Sequence, residues 1–273
     1  MATHGSAFPI AKLALNNNVP PILMASLRMG MVMLLLIPFW KFKIPDKKYL
    51  KSLVIFSISM GVMVYVFMNL SLKHSSFISP IIIGAQLAVP FAVLLSAQII
   101  GENISFKKWI YLILAFIGII IVFFDPELKN NLLGLFFASL MALFFAVAQV
   151  YSRQLKELSL TMLNAYTGFF GFLVLIVVSF FIEGEVISNI ININFESWIL
   201  IGYQAAIVSL FAHMSMFYLY KFYTVGQIFP FYSLFPIFGI ILTFLIFGEI
   251  PSVLFFIGSF IVISSVILLQ KTK

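Results

Sequence analysis

The sequence predicts an all-α polytopic membrane protein: ten transmembrane helices forming two inverted repeats of five, with a first helix that is cut short. Three observations carry that expectation. Hydrophobic residues make up 63% of the chain and charged residues 9%, where a soluble domain carries about a quarter charged residues. The charges gather between apolar runs long enough to cross a bilayer, which takes about 20 residues. One pattern is also written twice: Pro90 leads to Gly101-Glu102 and Ser105, and Pro236 leads to Gly248-Glu249 and Ser252, each followed by a long apolar stretch. A duplicated helix–turn–helix unit is the mark of a membrane protein built from internal repeats.

The elements follow in order. The segment from His4 to Leu15 is apolar but shorter than the ~20 residues a span needs. It has no basic leader and no small-residue cleavage site, so no signal peptide is expected. Pro20 and Pro21 suit the first turn of a second helix, where no backbone donor is lost, and Trp40 marks its far interface. Lys41, Lys43, Asp46, Lys47, Lys48 and Lys51 form the loop that follows. Further helices are expected over 53–72, over 77–100 with Pro80 and Pro90 inside, and over 109–124, closing a first half at 1–126. The second half, 127–273, repeats the count with helices over 132–152, 162–182, 198–220, 226–247 and 253–270.

Charge tests the layout independently. With the lysine loop on the cytoplasmic side, alternation places Lys107, Lys108, Arg153, Lys156, Lys221, Lys271 and Lys273 there too. The opposite side receives only Lys73 and Lys129, a clear positive-inside bias. Both termini then lie in the cytoplasm of a multi-pass cell-membrane protein. An odd number of helices per half turns the second half over, so Glu102 ends its helix inside and Glu249 outside. The net charge of +7 is thereby explained as orientation signal rather than nucleic-acid binding. Cysteine is absent, which excludes disulfides and thiolate metal sites, and no metal or cofactor is expected. The partners expected are a small-molecule substrate and the lipid bilayer, with the choice between monomer and homodimer open.

At these residues the chain resembles the drug/metabolite transporter superfamily, in particular its EamA-type ten-helix permeases. Pro236 to Glu249 and Pro90 to Glu102 resemble that family's Pro…Gly-Glu unit near the end of each half. Gly5-Ser-Ala-Phe8 with Lys12-Leu-Ala-Leu resembles its first helix, Ala25-Ser-Leu-Arg28 its second, and Lys73-His-Ser-Ser76 its turn into the fourth. The resemblance implies a secondary transporter and says little of the substrate. Aligning Lys12 with Arg153 leaves the first helix roughly nine residues shorter than its counterpart, too short to span alone at ~1.5 Å per residue.

Polar residues at membrane depth usually face the bundle interior. In the eighth helix Gly202, Ala206, Ser209 and His213 share a face, and His213 near the midplane either lines a cavity, carries protons or bonds a neighbouring helix. Tyr65 and Asn69 share a face of the third helix with Gly61, and Gln149 shares one of the sixth with Ser139. Gln86 precedes Pro90 by four residues, and Tyr232 lies between Pro230 and Pro236. A proline frees the carbonyl four residues back, so His213, Ser209, Tyr65, Asn69, Gln86, Gln149 and Tyr232 are the candidates for a substrate cavity. Arg28 lies roughly 13 Å deep and is favoured as structural or gating, alongside the bends at Pro90 and Pro236 and the turns at Glu102 and Glu249.

No carboxylate falls in the middle of any expected span. A neutral, zwitterionic or anionic solute therefore suits the interior better than a cation. The reading is alternating-access transport, in either direction, of a small organic metabolite such as an amino acid or related solute. The alternatives are a non-transporting remnant, because of the short first helix, and an intramembrane enzyme. The chain has no His-Glu-x-x-His, no Gly-x-Ser-x-Gly and no paired midplane aspartates, so it is read as no enzyme.

Overall fold

The computed structural model describes residues 2–39, 45–212, 214–215 and 234–272, and among these every regular element is helical. Among the described residues eight helices are long and apolar enough to cross a membrane: Pro21–Phe39, Lys47–Lys73, Ser79–Ile99, Phe106–Phe123, Leu132–Leu155, Leu160–Ile182, Phe195–Ala212 and Val253–Lys271. They stand where the second to eighth and the tenth helices are expected. The first place is filled by α1 (Ala2–Gly5) and α2 (Ala7–Asn16), and the ninth by the shorter Phe235–Phe247.

Three spans are interrupted in ways the apolar pattern does not foretell. The second of them runs as α4 (Lys47–Ile58), a π-helical stretch Ser59–Met63 and α5 (Val64–Lys73). The third runs as α6 (Ser79–Gly84), a 3₁₀ turn Ala85–Leu87 and α7 (Ala88–Ile100). Pro90 explains that break, because the N–H it lacks would have bonded the carbonyl of Gln86. The seventh begins as α12 (Phe195–Tyr203) and widens into a second π stretch, Gln204–Ala212. The remaining helices are α3 (Pro21–Leu36), α8 (Phe106–Phe123), α9 (Leu132–Ser152), α10 (Leu160–Ile182), an interfacial α11 (Val186–Ile191), α13 (Phe235–Phe247) and α14 (Val253–Lys271).

Ends are set by local chemistry. Ser159, Asn194 and Ser252 accept from the backbone N–H three residues on, opening α10, α12 and α14, the usual role of such N-caps. Both Gly-Glu units close their helices with a left-handed glycine, φ +81° at Gly101 and +66° at Gly248, a conformation that costs any residue with a Cβ.

The main pairings are α3 with α10, α5 with α9, and α8 with α14. The last pair crosses closely: a Cβ on Gly118 would meet Gly258 O at 2.9 Å, and one on Gly258 would meet Gly118 O at 2.7 Å. Small residues at such crossings let helix backbones approach where lipid offers no hydrophobic drive. The outward faces carry Phe106, Phe124, Phe181 and Phe260, all largely exposed, as a bilayer-facing surface requires. The central core joins α2, α3, α5, α9 and α10 around Met24, Met29, Tyr65 and Met141.

Candidate functional site

A cavity of about 420 Å³ starts among exposed residues at the lysine-rich end of the bundle, with Glu102, Asn103, Lys108 and Arg153 in its wall. It runs inward to Met29, Thr167, Tyr65 and Ser209. A smaller chamber of about 90 Å³ adjoins it, lined by His4, Phe8, Arg28, Gln86 and Phe235. Met60, Tyr65, Val89, Phe145 and Gln149 stand in the walls of both spaces.

Arg28, midway along α3, is 2% exposed. Its Nε donates to Ser209 Oγ at 3.0 Å, and its guanidinium carbon sits 4.1 Å from the centroid of the Tyr65 ring, a cation–π contact that partly offsets lost hydration. Tyr65 Oη and Ser209 Oγ are 3.4 Å apart. Arg28 Nη1, Gln86 Nε2 and Ser96 Oγ are buried without a hydrogen-bond partner among the described residues. All three belong to residues that line the two spaces.

Both π stretches fall at this centre. The first ends one residue before Val64-Tyr65, and the second contains Ser209. A π turn widens the helix and shifts its register, and here the Tyr65 ring and the Ser209 hydroxyl meet the same arginine. At the mouth Arg153 Nη1 donates to Glu102 Oε1 at 2.8 Å, both side chains more than half exposed. Nearby, the Tyr49 hydroxyl donates to Glu157. That bond, and then the charge of Lys48, hold the Glu157 carboxyl below its usual range.

The far end is tied shut by side chains bonded to backbone. Glu249 accepts from Ile78 N at 2.7 Å and Ser79 N at 2.8 Å, and Glu183 accepts from Ile22 N and Leu23 N, both at 2.8 Å. Two carboxylates thus satisfy the orphan donors that open the third and first long spans, and their charge suits those positive helix ends. Lys12 Nζ donates to Leu72 O at 2.6 Å and Ser75 O at 2.8 Å, and Asn69 Nδ2 to Pro21 O at 2.9 Å.

The structure therefore gathers Arg28, Tyr65, Gln86, Gln149 and Ser209 around two adjoining spaces. Asn69, expected in the cavity, lines neither space; it shares the buried side of α5 with Tyr65 but lies a turn nearer the closed end, where Pro21 O takes its amide. Glu249 is a helix cap and Glu102 a mouth residue. Pro90 opens α7 just past the Gln86 turn, and Pro236 opens α13. His213 and Tyr232 lie outside the described residues. Ser96, Asn164 and Thr167 also stand in the wall and were not anticipated. Their sequence signal is faint, because a lone small polar residue in an apolar run commonly bonds its own helix, as Thr167 does to Leu163 O and Asn164 to Leu160 O. Among the described residues no group of His, Asp and Glu is placed to hold a metal ion.

The model of the EamA-like transporter family matches residues 1–124 and again residues 132–270. No curated protein matches the sequence. Seventeen chains of solved structures match its fold. One of them, titled "Crystal structure of protein", aligns with a TM-score of 0.59 over 97% of this chain and 94% of its own at 15% identity, and so shares its fold. With two matched segments covering nearly the whole chain, on a bundle of apolar helices, the protein belongs to the EamA-like transporter family and is a multi-pass membrane transporter of the drug/metabolite type.

Proposed function

We propose that the protein carries a small organic metabolite, such as an amino acid or related solute, by alternating access. Its two halves, 1–126 and 127–273, act as inverted repeats that rock about the central cavity. The observation that carries this reading is the asymmetry of the two ends. A cavity leads from exposed residues at the lysine-rich end to the buried Tyr65–Ser209 pair beside Arg28. At the other end Glu183, Glu249 and Lys12 hold backbone partners, and a crevice of about 440 Å³ shares no wall residue with that cavity. That is the form of a carrier open to one side. The positive-inside rule makes the open side cytoplasmic, with both termini there.

Absence of cysteine makes a direct test clean. Gln149→Cys, in the cavity wall, should react with a membrane-impermeant maleimide from the lysine-rich side and be shielded from the other. Transported solute should redistribute that labelling between the two sides. Equal labelling from both faces at rest, or purified protein in liposomes that moves no metabolite of a broad panel, would overturn the proposal.

A further inference from the structure

The inner chamber holds a positive charge that no acid balances. Arg28 is buried, and its ordered contacts are the Ser209 hydroxyl and the Tyr65 ring. Among the described residues neither ion pair involves it; those join Lys48 to Glu157 and Arg153 to Glu102. A buried guanidinium without a counter-ion is strongly disfavoured, and its Nη1 also lacks an acceptor. The Nε2 of Gln86, in the wall of the same chamber, is a second buried donor without one. Two unmet donors of different origin, one charged, belong to residues that line one chamber, and among the described residues no acidic side chain stands in its wall.

Resting on the transport reading above, we propose that this chamber is an anion seat, in which Arg28 and Gln86 hold the carboxylate of an organic monocarboxylate. Charge fixes the class. The chamber, of about 90 Å³, exceeds the space a single water needs and so admits a carboxylate head. A single buried cation matches a monoanion rather than a phosphate dianion. The body of the solute extends into the larger cavity, where Met29, Met60, Val89 and Phe145 stand beside Thr167 and Gln149, so a mainly apolar body fits. An α-ammonium group finds no carboxylate in the chamber; the Glu102 carboxylate at the distant mouth is already paired with Arg153. The carboxylate is therefore required and the amine is dispensable. Lys108 and Arg153 in the cavity wall near the mouth favour the approach of anions.

The test is uptake by the purified full chain in liposomes of 4-methyl-2-oxopentanoate, L-leucine and L-leucinamide, the last having the same body without the carboxylate, within a wider panel of carboxylates and their amides. Carboxylates should be carried and amides not. Arg28→Gln should lower carboxylate uptake at least about tenfold, Arg28→Lys should restore part of it, and Gln86→Leu should raise the apparent KM. The comparison of acids with amides on the wild-type protein stands even where a variant fails to fold. Amides carried as fast as their acids, or carboxylates carried at the wild-type rate by Arg28→Gln, would overturn the anion seat and leave the transport reading standing. Liposomes that carry nothing from the panel overturn both.

Discussion

Glu102 and Glu249 hold equivalent places in the two Pro…Gly-Glu units and end in opposite settings. Glu249 is 8% exposed and accepts from two backbone N–H groups; Glu102 is exposed and paired only with Arg153. Hydrogen bonds to a charged acceptor contribute about 1.5–3 kcal/mol, whereas an exposed ion pair contributes about 0–1 kcal/mol. Glu249→Gln should therefore lower thermal stability in detergent clearly, and Glu102→Gln hardly at all. Equal effects would contradict the assignment of caps. Glu183→Gln should behave like Glu249→Gln. Glu157 offers a check with pH. Its carboxyl is lowered below the ordinary 4.5 by the Tyr49 hydrogen bond and then by Lys48, so its contribution is complete above that value. It is lost as pH falls through the lowered one. Wild type and Glu157→Gln should thus converge in melting temperature toward acid and separate slightly above it. At this scale the sequence was readable by depth: an arginine within an apolar run had to be internal, and the Pro90 spacing pointed to Gln86. What it did not disclose was allegiance. Asn69 differs from Tyr65 by one turn of α5, and only the position of Pro21 across the bundle decides that its amide serves closure instead of the cavity.

At the level of elements, the left-handed glycines that close the two Gly-Glu units are sensitive to substitution. Gly101→Ala and Gly248→Ala force a Cβ into φ near +81° and +66°, at a cost of about 1–2 kcal/mol each, measurable by thermal unfolding. Unchanged melting would mean the turns adapt. Pro90→Ala acts differently. It restores an N–H four residues after Gln86, allows α7 to run on through the 3₁₀ turn Ala85–Leu87, and should slow transport without loss of stability. The bend at Pro90 was legible because proline has one local effect. The π stretches were not, since no residue type demands them. Ser59–Met63 lies where Gly61 approaches α10 so closely that a Cβ would meet Thr167 O at 2.6 Å. The backbone there answers to a neighbour more than a hundred positions away in the chain rather than to its own sequence. Steps of four along 61, 65 and 69 therefore named a face correctly but not what that face would meet.

Across the whole molecule the all-helical polytopic fold was legible from long apolar runs, because a single run satisfies its own backbone within lipid only as a helix; the two halves remain an expectation from repetition and charge. The shape of the interior was not legible, since it depends on which interhelical gaps stay unfilled. The α8–α14 pair stands apart from the cavity's inner chamber and crosses through Gly118 and Gly258. Gly258→Leu should part these helices and lower the yield of folded protein in membranes, while Ala at that site should be milder. Equal yields would show the crossing to be dispensable. The π stretches carry a consequence of another kind. Each contains a residue more than an α-helix of the same length would hold, and such a surplus can be handed along the helix, swivelling everything beyond it by about 100° while the ladder of backbone bonds stays closed. Tyr65 and Ser209 ride on the two helices so equipped. A swivel in either would lift the Tyr65 ring or the Ser209 hydroxyl off Arg28 with little tilt of the helices, making the grip on cargo a matter of rotational phase. Deleting Met60, which removes the surplus from the first of them, should leave Gln149→Cys labelled from a single side whether or not solute is present.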